Sequence, residues 1–125
     1  MTQDYNVFRR YADAIQALPG GTLRKDDLLT YRLQVDVEGK LAIYYAPLDS
    51  INTHALVVLV GITPGLKQMA IAHERARALL LAGCNAEDIC REAKRTAAFA
   101  GSMRRNLVQM LDGIQLHRCL GIPSS

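Results

Sequence analysis

Three groups of residues carry the chemistry open to this sequence: the turn Gly61-Ile62-Thr63-Pro64-Gly65, the isolated aromatic Phe99, and a basic stretch holding Arg91, Lys94, Arg95, Arg104 and Arg105 beside Asn106. A Gly/Pro turn between an apolar strand and a helix leaves backbone N–H groups free at the helix start. Such groups hold an anion, a water molecule or the polar edge of a ring. The turn has neither the phosphate-loop spacing nor the GxGxxG spacing of a dinucleotide site. Phe99 offers a stacking face. The basic stretch, with Glu92 as its one counter-charge between Arg91 and Arg105, offers contacts to a phosphate backbone.

Those groups need elements to hold them. Val7, Tyr11, Ala14, Ile15 and Leu18 recur at helical spacing, which predicts a helix over Asp4 to Leu18, stopped by Pro19-Gly20-Gly21. Tyr31 to Val37 alternates apolar and polar residues, turns at Glu38-Gly39 and continues in Leu41 to Ala46, the pattern of an antiparallel hairpin in which Tyr44 and Tyr45 take opposite faces. Ala55 to Ile62 does not alternate. Eight consecutive apolar or Gly residues, rich in valine, predict a strand covered on both faces, as in a parallel α/β sheet. Thr63 is then a helix cap with Pro64 in the first helical position, ahead of a helix over Lys67 to Ala82 with Gly83 as its stop. Asn85, followed by Glu87 and Asp88, starts a further helix whose buried stripe is Ile89, Ala93 and Ala97. The last helix, Met103 to Gly113, is expected to bury Leu107, Met110, Leu111 and Ile114, and Met69, Met103 and Met110 are expected to serve as packing.

Composition limits the alternatives. The chain has 125 residues, of which 50% are apolar, enough for one ordinary domain with a real core. Apolar runs fall well short of a membrane span, and the first residues include Asp4 and no signal-type apolar block, so a cytoplasmic protein without a membrane partner is expected. Cys84, Cys90 and Cys119 fit neither a zinc ribbon nor a CxxC pair and read as reduced thiols. His73-Glu74 lacks the second histidine of a zinc helix, so neither metal nor cofactor is expected. The net charge of +3 points to polyanions only because the arginines cluster in the second half.

GITPGLKQ, followed by FAGSMRRNLVQMLDGIQL from Phe99 to Leu116, resembles the uracil-DNA glycosylase superfamily, in particular its mismatch-specific and related bacterial branches. The resemblance covers roughly Ala55 to Ile122. It implies base excision from DNA by N-glycosidic bond hydrolysis, with the base flipped out of the stack. Gly61, Ile62, Pro64, Gly65 and Phe99 would then bind the base, Thr63 would position water, and Arg95, Arg104, Arg105 and Asn106 would contact DNA phosphates. Thr63 stands where active members commonly carry Asp, Asn or Glu, and no His-Pro-Ser motif follows His54, His73 or His117. A non-catalytic nucleic-acid-binding or truncated glycosylase-fold protein is therefore the alternative. The implied architecture is an incomplete three-layer α/β domain, apparently an amino-terminal half. It comprises an amino-terminal helix and hairpin (1–54) and an α/β segment (55–125), one continuous domain, with an exposed sheet edge that would allow homo-oligomers.

Overall fold

The computed structural model describes residues 2–124. Phe8, Tyr11 and Ile15 bury one face of α1 (Asn6–Gln16). Val7, assigned to the buried stripe from its spacing, is exposed, because Phe8 turns the helix by one position and fills the core instead. A short α2 (Lys25–Leu28) inserts Leu28, and Leu33 follows into the same cluster.

The hairpin forms as expected, with β1 (Gln34–Glu38) antiparallel to β2 (Leu41–Tyr44) and an irregularity in register between Gln34 and Asp36. Its start is shorter than the alternation suggested. Tyr31 to Leu33 form a turn, and the Leu33 carbonyl accepts the Tyr45 N–H at 2.7 Å, which fastens the base of the hairpin to the core. Tyr45 is buried and Tyr44 partly so, in line with opposite faces.

The principal packing unit is α3 (Leu66–Leu81) against α4 (Ala86–Ala97), joined by a short turn in which Gly83 adopts φ +77°. Small residues make this approach close: Ala72, Ala76, Ala93 and Ala97 are fully buried, with Met69, Ile89 and Cys90 filling the remaining space. The Asn85 side chain caps α4 by accepting the Asp88 N–H at 2.9 Å. α1 lies across both helices, and Glu74 of α3 accepts the Leu23 N–H at 2.8 Å, tying the first connecting loop to the same helix. Burial pushes the Cys90 thiol up to about 12, so it stays protonated and packs as a small apolar group.

Two expectations fail beyond this core. Ala55 to Ile62 is irregular and exposed along its whole length rather than a strand between layers. A strand needs a ladder partner for its N–H and C=O groups, and the one sheet among the described residues is complete as β1–β2. The described residues form a mixed α/β arrangement in which helices accompany one antiparallel hairpin. Likewise α5 (Ser102–Gly113) and the short α6 (Leu116–Leu120) bury no residue fully. Met103, Met110 and Ile114 are exposed and Leu107 and Leu111 only half-buried, so Met69 alone of the three methionines is core. No helix among the described residues is long and apolar enough to cross a membrane.

Candidate functional site

The turn before α3 and the turn between α4 and α5 converge on one pocket. Gly61, Ile62, Thr63, Pro64 and Gly65 form one wall and Ala98, Phe99 and Met103 the other, with Leu48 and Gln68 completing the lining of a cavity of about 250 Å³. Pockets for drug-sized ligands run to roughly 300–1,000 Å³, so this one suits a single ring system. The lining is mostly apolar. Its side-chain polar groups are the Thr63 hydroxyl and the Gln68 amide.

The local backbone explains the first wall. α3 does not begin at Pro64 with Thr63 as cap. The cap position is Gly65, in extended conformation with its carbonyl accepting the Met69 N–H at 3.0 Å, and the Thr63 hydroxyl reaches only the Pro64 carbonyl at 3.5 Å. Pro64 keeps the approach to the helix extended instead. Gly65 lies against Gln68: a Cβ there would stand 2.8 Å from the amide oxygen at the free end of that side chain, which would have to shift. Gln68 itself is on the buried side of α3 and lines the pocket. It was absent from the sequence-based site, although a polar residue beside the apolar stripe and three positions after the turn's last glycine was a usable signal.

The second wall depends on strain. Phe99 is half-buried and adopts φ +54°, a left-handed conformation that costs a bulky residue about 1–3 kcal/mol. Gly101, two positions on, has φ +87°, and a Cβ there would meet the Lys67 ammonium at 2.9 Å. Arg104 fixes this turn from below. Its guanidinium donates to the carbonyls of Arg95 (2.9 Å), Thr96 (3.1 Å) and Ala98 (3.1 and 2.6 Å), the free acceptors at the end of α4. This residue, read from sequence as a phosphate contact, is engaged with its own backbone and positions Phe99.

The other basic residues divide in the same way. Arg91 pairs with Glu87 and Asp88, and Lys94 donates to the Ser50 carbonyl. Arg95 is exposed, with Glu92 at 3.8 Å. Arg105 and Asn106 are exposed on α5, where Arg104 and Arg105 line a shallow groove with Val108 and Gln109. Arg105 and Asn106 face solvent, whereas Arg95 is in an ion pair with Glu92 and the exposed Arg104 already donates to backbone carbonyls.

A larger groove of about 570 Å³ lies between the amino-terminal segment and the loop Ser50 to His54. Its polar groups largely serve one another: Gln3 donates to the Asp49 carbonyl and accepts from the Tyr5 hydroxyl (3.1 Å) and the Ile51 N–H (2.9 Å). Among the described residues no cluster of His, Cys, Asp or Glu could hold a metal ion. His73, far from being a ligand, is buried with Nε2 donating to the Tyr45 carbonyl at 2.9 Å. Burial lowers its pKa to about 4, so it is neutral at pH 7.

Comparison with known proteins gives one informative match. The chain is 42% identical over 121 residues to the uncharacterized protein YoxB of Bacillus subtilis (strain 168), a match that takes in 96% of this chain and 47% of the relative. The chain thus spans about half the length of that protein. No family model matches the chain, and no solved structure does.

Proposed function

We propose that this chain is a uracil-DNA glycosylase-like protein whose Gly61–Gly65 and Phe99 pocket captures a single nucleobase from DNA. One observation carries the reading: the two segments that resemble that superfamily lie more than thirty residues apart in sequence yet line the same small cavity. The cavity matches a flat heterocycle in three respects. Phe99 would supply a stacking face, the Gln68 amide offers a donor and an acceptor to a ring edge, and the volume suits a single ring. Arg95, Arg105 and Asn106 would hold the flanking phosphates. In this reading Ala55 to Ile62, unpaired and exposed in this chain, would become the core strand of an α/β domain only when neighbouring strands join it, and the turn would then mark its carboxyl end, the usual place for a ligand.

Binding rather than hydrolysis is the activity these residues support. No carboxylate or imidazole lines the cavity, and a threonine hydroxyl whose nearest partner is a carbonyl has no group to take its proton. The test is fluorescence anisotropy with single- and double-stranded oligonucleotides carrying uracil or a mismatch, followed by alkaline treatment of the same samples. Salt-sensitive binding that weakens about tenfold or more in Phe99→Ala and Gln68→Ala, without strand cleavage, is the expected result. Absent or salt-insensitive binding would reject DNA as the partner. Cleavage that is lost in Thr63→Val would restore the hydrolytic enzyme.

A further inference from the structure

Ala55 to Ile62 poses a question that the pocket leaves open. Its apolarity does not alternate, but its exposure does. Leu56, Val58 and Val60 are 85, 75 and 91% exposed, whereas Val57 and Leu59 are 42 and 45% exposed. The alternation has the period of a strand, yet all eight residues are exposed, so among the described residues the segment has neither ladder neighbours nor an apolar cover on either face. Met110 and Ile114 of α5 add further exposed apolar surface, and isolated monomers rarely leave such an accumulation uncovered.

We infer that Ala55 to Ile62 docks by β-strand pairing onto a polypeptide equivalent to the part of YoxB that this chain does not match, and that the same polypeptide covers the bare face of Leu56, Val58 and Val60. Length argues for this occupant. The match runs nearly end to end in this chain and stops short of half of the relative, so the relative carries a counterpart of almost all of this chain together with a comparable length of further chain. A second copy of this chain is a poorer occupant. It would bring one unpaired segment to another, and a ribbon of two strands is marginal in water and still leaves two open edges. An uninterrupted run of β-branched and leucine residues instead demands neighbours on both edges and apolar layers on both faces. Strand pairing here does not depend on what the pocket binds, so the two assignments fail separately.

Amide hydrogen exchange on the 125-residue chain and on full-length YoxB tests the docking directly. The expected result is near-unprotected exchange over residues 55–62 in the chain alone and slowing by about 100-fold or more over the matching residues in YoxB. Co-expression of the chain with the unmatched part of YoxB should give a one-to-one complex by light scattering. Val58→Asp should abolish it, and Val7→Asp, on the exposed side of α1, should not. Fast exchange in full-length YoxB overturns the inference even if the separate fragment fails to fold. So does a complex indifferent to Val58→Asp. Protection in the chain alone, accompanied by a homodimer, overturns it in favour of a second copy.

Discussion

The α1–α3–α4 core, drawn from Phe, Tyr, Ile, Met, Cys and Ala, and the segment from Ala55 to Ile62, drawn from Ala, Leu, Val, Gly and Ile, are both apolar, yet the first buries its residues and the second exposes all of them. Hydrophobicity is therefore not what separates the two regions. The helices satisfy their backbone hydrogen bonds internally, so an apolar stripe needs only another stripe to lie against, and α3 and α4 find each other across a short turn. An extended segment satisfies nothing by itself. Its burial waits on neighbours that must come from elsewhere, and the β1–β2 hairpin, anchored at the other side through Leu33 and Tyr45, does not provide them.

The strongest way to break this contrast is truncation on each side. Phe8→Ala should destabilise the chain by about 3–5 kcal/mol, the cost of removing a buried aromatic ring, while Val60→Ala should change it by no more than about 0.5 kcal/mol. Urea denaturation of the two variants measures both values. A loss of 2 kcal/mol or so in Val60→Ala would mean that the segment is already packed in the isolated chain.

Acid should attack the core and spare the exposed segment. His73 is held neutral by burial, with its pKa lowered to about 4 from 6.5, so the unfolded chain binds more protons between those values. Its contribution is accordingly constant above pH 6.5 and falls as the pH drops toward 4, by roughly 3 kcal/mol in all. Urea midpoints at pH 7.5 and 4.5 should therefore diverge more for the natural chain than for His73→Gln. Equal divergence would show that His73 is solvated or partnered in a way that leaves its titration unperturbed.

A smaller effect divides two adjacent arginines. Arg104→Ala removes the clamp on the end of α4 and should cost about 1 kcal/mol, given the partial exposure of these hydrogen bonds, and should loosen the Phe99 turn. Arg105→Ala should leave stability unchanged and weaken oligonucleotide binding instead. Thermal melts together with exchange rates at residues 98–101 distinguish the two. Equal stability losses would remove the distinction between a positioning residue and a solvent-facing one.

Much of the local architecture was legible in the sequence. The spacing of Tyr11, Ile15 and Leu18, the Asn85 cap with Glu87 and Asp88 behind it, the glycine at position 83 and the alternation around Glu38-Gly39 each express a short-range preference, and each element formed where expected within a few residues. The glycines and proline of the turn at 61–65 were equally visible, because their conformational requirements are those of the residues themselves. Tertiary structure decided the rest. Whether Val7 or Phe8 faces inward is a rotation of α1 set by its neighbours. Whether Leu107, Met110 and Leu111 are core depends on a cover that α5 lacks. Bringing Phe99 to the Gly61–Gly65 turn required the chain to fold back on itself across the α3–α4 pair, whereas Gln68 and the Arg104 clamp on the end of α4 are set by their immediate turns. The sequence by itself determined that Ala55 to Ile62 is a strand-forming run. Its state was a tertiary matter, since a strand exists only when another backbone receives its hydrogen bonds.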